Sequence, residues 1–304
     1  MTSILIIILI ILSLITFLLF GMDKRKAAKH KWRIPEATLL LFSVFGGIGG
    51  LMGMLFFRHK TRKWKFRILV PLFAVIDTGI LVFLLWASVY YHAGEAAALA
   101  MQSDNLVSLE KTRTGWMFDG PSDDKVLIFY PGAKVEETAY APLLHELAAK
   151  EMDVCLIKMP LRLAFFGIYK ADRVIEEGSY NHYYIGGHSL GGAMAAGYAA
   201  ENEDDIEGVI LLAAYPTKET TADTVLIYGS EDGVLNMSRV EGAKNLVSGA
   251  YAEYVINGGN HAQFGSYGAQ AGDGKAEITA EEQWDLTVRE IVRFLEEEKK
   301  HGAE

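Results

Sequence analysis

Apolar positions follow two different patterns along the chain. Up to about residue 91 they form long blocks, and beyond it they come as short runs separated by polar turns. Ile4–Phe20 carries no charge, and Ile68–Tyr91 is a block of 24 residues whose one ionisable side chain before its tyrosines is Asp77. Helices over about 4–20 and 68–91 are predicted, each able to cross a hydrocarbon core of about 30 Å. A secretory signal is the rival for the first block, but it would place basic residues before the apolar run and small residues after it. Here Lys24-Arg25-Lys26 follow the run, which favours a retained helix.

Between these blocks lies ATLLLFSVFGGIGGLMGMLFF, residues 37–57. It is long enough to span, but five glycines crowd its centre, and each costs a helix about 1 kcal/mol relative to alanine. Residues 21–36 and 58–67 carry six Lys/Arg each, so a spanning segment would export one of two equally basic loops, against the positive-inside tendency. A re-entrant segment would keep both loops on one side, provided its irregular backbone is packed by neighbouring helices. Both readings stay open. Asp77 is a functional candidate by its position in a span; a protonated carboxyl facing the glycine-rich segment is the plainer reading.

From residue 105 the pattern becomes that of alternating strands and helices. KVLIFY (125–130), DVCLIKM (153–159), HYYI (182–185), GVILLAA (208–214), TVLIY (224–228) and AEYVI (252–256) read as strands. Helical spacing covers about 139–150, 171–177, 190–200 and 280–299. Continuous apolar strands separated by helices argue for a mostly parallel sheet covered on both faces, an α/β fold. The expected organisation is a membrane domain over 1–91, a linker over 92–104, and the α/β domain over 105–304.

Charge follows the same division. The net charge of −9 is the difference between +9 over residues 1–91 and −18 over the remainder. Basic residues interleaved with long apolar runs point to a lipid bilayer rather than nucleic acid. The single cysteine, Cys155, lies inside a strand and reads as a small buried hydrophobe. There is no metal-ligand cluster.

Active sites of parallel sheets gather at the carboxyl ends of the strands. Four strand ends carry candidate chemistry. HYYI runs into Gly187-His188-Ser189-Leu190-Gly191, a G-x-S-x-G motif between strand and helix, where a sharp turn exposes the serine. A serine hydroxyl needs a base. Of eight histidines only His261, in INGGNHAQF, directly follows a strand; His188 adjoins Ser189, but neighbours in a sharp turn point apart. TVLIYGSEDGVL supplies Asp232 to orient the base, with Glu231 as the second choice. Two backbone N–H groups are needed for a developing oxyanion. Leu190 and Ala133, the latter after FYPG, are the candidates, with Lys134 as the alternative.

FYPGA, GGHSLGG, YGSEDG and GGNHAQFGSYG, in that order, resemble the α/β-hydrolases, in particular the cap-less dienelactone-hydrolase-like branch. The resemblance covers about residues 105–298. It implies the α/β-hydrolase fold and a serine hydrolase acting on an ester, thioester or amide of a small-molecule acyl substrate, without a cofactor. Residues 20–75, through RIPE (33–36), GGIGGLMGM and RHKTRKWKF, resemble a family of small bacterial membrane proteins of uncharacterised function. The combined expectation is a multi-pass, membrane-anchored serine esterase with the hydrolase domain on the outer face of the cell membrane. A transport, sensing or scaffold protein with a ligand-binding but non-catalytic hydrolase fold is the alternative. The segments LRLAFFG (161–167) and FGSYGAQAGDG (264–274) read as surface loops, or, for the first, as an acyl-pocket wall or a membrane contact.

Overall fold

The computed structural model describes residues 2–122 and 124–301; Met1 and residues 302–304, at the ends of the expected domains, lie outside them. The chain divides into two compact units, Met1–Val89 and Tyr90–Glu304.

The first unit holds α1 (Thr2–Ala28), α2 (Glu36–Phe45), α3 (Gly47–Phe56) and α4 (Trp64–Ser88). Among the described residues, α1 and α4 are the two helices long and apolar enough to cross a membrane. The glycine-rich segment is not one helix. It breaks at Gly46 (φ −133°, ψ 31°), and α2 and α3 run in and back. Two polar groups hold the break: the Thr16 hydroxyl reaches the Phe42 carbonyl at 3.0 Å, and Asp77 Oδ2 accepts the Gly47 N–H at 2.6 Å. Asp77 thus meets one of the N–H groups that a helix start leaves without an intrahelical acceptor.

Both ends of the α2–α3 pair return to the same end of α1. Asp23, fully buried, accepts the Ile34 N–H at 2.9 Å, lies 2.7 Å from His59 Nε2, and faces Arg33 and Lys60 at 3.5 and 3.6 Å. The two basic loops therefore meet on one carboxylate. The glycines of α3 permit close approach: a Cβ on Gly49 would stand 1.7 Å from the Ser13 carbonyl oxygen, whereas one on Gly79 of α4 would meet nothing within 4 Å. Gly49→Ala is expected to destabilise this unit by about 1–3 kcal/mol through overpacking. Gly79→Ala should be neutral or stabilising by up to about 1 kcal/mol, from helix propensity. Thermal unfolding of the full chain in detergent checks this opposition of sign.

The second unit is built on an eight-stranded sheet, ordered β1-β2-β4-β3-β5-β6-β7-β8. β1 (Ser108–Lys111) and β2 (Gly115–Asp119) form an antiparallel edge, and β2 pairs antiparallel with β4 (Asp153–Ile157). β3 (Lys125–Tyr130), β4, β5 (His182–His188), β6 (Gly208–Leu212), β7 (Asp223–Gly229) and β8 (Tyr251–Ile256) run parallel. Every residue of β3, β4 and β6 is buried, the outcome their unbroken apolar runs require.

One face carries α6 (Ala141–Ala148) and α10 (Ala280–His301), and its core includes Leu143, Leu147, Val288 and Ile291. The other face carries α7 (Lys170–Glu177), α8 (Leu190–Ala199) and α9 (Met237–Ala243), with Val174, Ala195, Tyr198 and Val240 in its core. Cys155 is buried in this second core. Residues 92–104, expected as a linker, contain α5 (Glu95–Ala100), whose Ala97 is fully buried. The preceding strap is bonded into the domain: Tyr91 N–H donates to the Lys134 carbonyl at 2.8 Å, and Gly94 N–H to that of Ser266 at 2.6 Å.

Candidate active site

Because β3 and β5 to β8 are parallel, their carboxyl ends lie along one edge of the sheet, and the candidate residues follow four of those ends. β5 extends three residues further than the apolar run suggested, through Gly186, Gly187 and His188. Ser189 then takes φ 53°, ψ −123°, and α8 starts at Leu190. A side chain at such angles costs about 1–3 kcal/mol and persists only when its surroundings enforce it. Here the enforcement is visible: Ser189 N–H remains in the ladder, donating to the Leu212 carbonyl of β6 at 2.9 Å. On the other side Gly191 sits so close to β3 that a Cβ would stand 2.1 Å from the Tyr130 carbonyl oxygen.

Asp232 lies three residues beyond β7 and His261 five beyond β8. His261 Nδ1 is 2.8 Å from Asp232 Oδ2, and both side chains are almost wholly buried. The other carboxylate oxygen, Oδ1, accepts the Val234 and Leu235 N–H groups at 2.9 and 2.8 Å. Both oxygens of Asp232 are therefore held. Glu231 points elsewhere and accepts the Ser230 hydroxyl at 3.0 Å. His261 Nε2 is buried and has no hydrogen-bond partner among the described residues. It lines, with Ser189, a cavity of about 250 Å³ whose other walls include Leu190, Ala213, Ala214 and Leu235.

Leu190, the first residue of α8, has an N–H without an intrahelical acceptor. In the loop after β3 the amides are differently engaged. Gly132 N–H donates to the Tyr140 hydroxyl at 3.0 Å, and Lys134 N–H to the Arg162 carbonyl at 2.9 Å. Lys134 is thus committed to another acceptor, and Ala133 is left as the candidate from this loop.

Three contributors were not legible in the sequence. His188 does not point into solvent. It is buried, its Nδ1 lies 2.8 Å from the Tyr140 hydroxyl, and its ring centre is 4.5 Å from that of His261. Since Tyr140 accepts from Gly132, its proton is directed at Nδ1. Burial, reinforced by the neighbouring His261, pushes the His188 pKa well below the ordinary value and keeps the ring neutral. Asp273, in the loop read as surface, accepts four backbone N–H groups: those of Gly233, His261, Ala262 and Gly274 at 2.8 to 3.2 Å. Gln283 of α10 clamps the residue before His261 from both sides, accepting the Asn260 N–H at 3.0 Å and donating to its carbonyl at 2.8 Å.

Asp273 therefore holds the loop that carries His261 through its main chain. Asp273→Ala is expected to lower kcat by about 100-fold, the scale of a displacement near 1 Å in a catalytic group, with a smaller change in KM. Titrating intact sites with a covalent serine probe separates this from partial unfolding, which would reduce the number of sites and leave kcat per site intact.

Comparison with known proteins bears on this arrangement. A model of the alpha/beta hydrolase family matches residues 126–285, more than half of the chain. The chain belongs to the α/β-hydrolase family. Residues 13–66 match a separate family described as a protein of unknown function, DUF1294, and form a DUF1294 domain. That region is similar to the uncharacterized protein YsdA of Bacillus subtilis (strain 168), at 49% identity over 70 residues, 23% of this chain and 79% of the relative. Among solved structures, the α/β-hydrolase domain is similar to a putative lipase from Acinetobacter baumannii, with a TM-score of 0.51 and 13% identity over 68% of this chain and 98% of that one. An esterase from Mycobacterium tuberculosis gives a TM-score of 0.48 and 11% identity over 66% of this chain and 95% of that one. At 13% identity the likeness to the Acinetobacter baumannii structure speaks for the fold alone. The expected fold class holds: an α/β-hydrolase with a mostly parallel sheet, preceded by a helical N-terminal domain.

Proposed function

We propose that this α/β-hydrolase is a membrane-anchored serine hydrolase of the carboxylesterase type. The observation that carries the reading is the buried Asp232–His261 pair, whose histidine has no partner for Nε2 among the described residues and lines the same cavity as the strained Ser189. Ser189 Oγ attacks the acyl carbonyl while His261 Nε2 takes its proton, and Asp232 holds the ring and stabilises its charged form. The negative charge arriving on the carbonyl oxygen meets the N–H groups of Leu190 and Ala133. His261 returns the proton to the leaving alkoxide, which departs as the alcohol. Water, deprotonated by the same nitrogen, then attacks the acyl-serine, releasing the acid and restoring Ser189. No step as written draws on a cofactor.

Anchoring rests on α1 and α4, whose apolar side chains face outward along most of their length, among them Ile4, Ile10, Leu14, Ile68 and Val75. The basic loops gathered on Asp23 mark the cytoplasmic end by the positive-inside tendency, with the exposed Trp32 and Trp64 beside them at the interface. The α2–α3 pair is then re-entrant, and α4 delivers the hydrolase domain to the outer face.

Full-length protein in detergent is expected to hydrolyse p-nitrophenyl butyrate and to be labelled by a fluorophosphonate at Ser189. A folded preparation that does neither would sink the catalytic reading. Reporter fusions after Lys31 and Lys63 should read cytoplasmic and one after Ala97 external; the reverse pattern would overturn the orientation.

A further inference from the structure

A second cavity adjoins the one at Ser189. At about 250 Å³ it is smaller than the sites of about 300–1,000 Å³ that ordinarily enclose a small molecule. Tyr215 lines it and also lines a second cavity of about 550 Å³. The two walls continue along the same two loops. After β6, Ala213 and Ala214 border the first cavity, while Pro216 and Thr217 border the second. After β7, Leu235 and Asn236 border the first, while Ser238 and Arg239 of α9 border the second.

Chemistry changes along this path. Next to Ser189 the lining beyond the catalytic groups is largely small and aliphatic. Past Tyr215 it gains the Thr217 and Ser238 hydroxyls and the Arg239 guanidinium. Arg239 is exposed and has no ion-pair partner among the described residues. Elsewhere in this unit the surface arginines Arg113, Arg173 and Arg289 each have a carboxylate within 4 Å. Beyond residue 91 the chain carries 35 Asp and Glu against 17 Lys and Arg. A cation without an ion-pair partner in the cavity next to Ser189's, in so acidic a domain, is placed to meet charge on a ligand that reaches past Tyr215. A guanidinium offers two parallel N–H donors, a fork that fits carboxylate, sulfonate or phosphate.

We infer that Arg239 forms an anion subsite, and that the substrate is an ester bearing a negatively charged group at the end remote from its scissile carbonyl. This rests on the serine-hydrolase reading and adds the substrate class to it. The carbonyl sits at Ser189, a short apolar stretch passes Tyr215, and the anion lies against Arg239. The charge is carried either on the acyl part or on the alcohol part, depending on which end is threaded past Tyr215, and the two are separable by experiment.

Three esters test the assignment with full-length protein in detergent: p-nitrophenyl butyrate, mono-p-nitrophenyl succinate with the anion on the acyl part, and 4-sulfophenyl butyrate with the anion on the alcohol part. One of the two anionic esters is expected to exceed the neutral one in kcat/KM by about tenfold, the scale of a charge-assisted hydrogen bond. Arg239→Ala should erase that ratio, Arg239→Glu should invert it, and Arg239→Lys should keep part of it. Fluorophosphonate labelling of each variant at the wild-type rate shows that the site is folded. Turnover without anionic preference, or a preference that survives Arg239→Glu, overturns the subsite and leaves the esterase reading standing. Binding of the same esters to Ser189→Ala by calorimetry gives the converse. Anionic preference in binding, lost with Arg239→Ala, in a protein that turns over none of them, upholds the subsite and defeats the esterase reading.

Discussion

Ser189→Ala is expected to lower kcat for small esters by about 10⁴- to 10⁶-fold and to abolish fluorophosphonate labelling, the range found when the nucleophile of such a constellation is removed. What remains should come from the oxyanion donors and from binding. The geometry allows a sharper version. Ser189 holds φ 53° because its amide is bonded to Leu212 and because the start of α8 lies against β3. Alanine keeps the Cβ and with it the strain, so the thermal midpoint should move little. Ser189→Gly removes the Cβ and relieves about 1–3 kcal/mol of backbone cost. The two variants should be equally inactive while only the glycine variant melts higher. A Ser189→Ala protein that retained turnover and labelling would defeat the assignment. Equal melting of both variants would show instead that the turn stores no strain.

The chemistry-bearing part of this pattern was legible because a parallel sheet forces it into one place. Once KVLIFY, HYYI, TVLIY and AEYVI are strands running the same way, Ala133, Ser189, Asp232 and His261 fall on one edge, whatever the intervening loops do. The preference for Asp232 over Glu231 followed from turn chemistry, and the structure places Asp232 Oδ2 against His261 while Glu231 turns to Ser230.

The supporting groups were not legible, for a different reason in each case. Asp273 acts by accepting backbone N–H groups, and no side-chain pattern marks a carboxylate that bonds only to main chain. Gln283 lies on α10, whose periodicity shows which face is buried but not which loop that face meets. The rule that neighbours in a turn diverge gives His188 no part beside Ser189. His188 does diverge from Ser189, but inward, onto Tyr140 and His261.

In the first unit, composition gave the crowding of glycines but not its consequence. The break at Gly46 depends on Thr16 and Asp77, from two other helices, being there to satisfy the backbone it exposes. Asp77 therefore faces the glycine-rich segment, where the plainer of its two readings puts it.

Asp232→Asn is expected to lower kcat by about 10⁴-fold while leaving the fold and the substrate KM nearly unchanged. The carboxylate uses its two oxygens differently. Oδ1 is fixed by the Val234 and Leu235 amides, and Oδ2 meets His261 Nδ1. The amide of the replacement side chain will keep its oxygen where those two N–H groups point, since burying an NH₂ against two donors would cost about 1–3 kcal/mol or more. Its NH₂ then faces Nδ1 and makes that nitrogen the acceptor. The ring proton must move to Nε2, the one atom that has to be free to take the proton of Ser189. The ring stays in place with the wrong tautomer, so binding survives and proton transfer does not. Glu231→Gln, one residue away, should change kcat by less than about twofold, because its carboxylate touches Ser230 rather than the base. If Asp232→Asn kept most of its activity, or if Glu231→Gln proved the more damaging change, His261 would be oriented by something other than Asp232. The base itself would then have to be sought again among the groups lining the cavity.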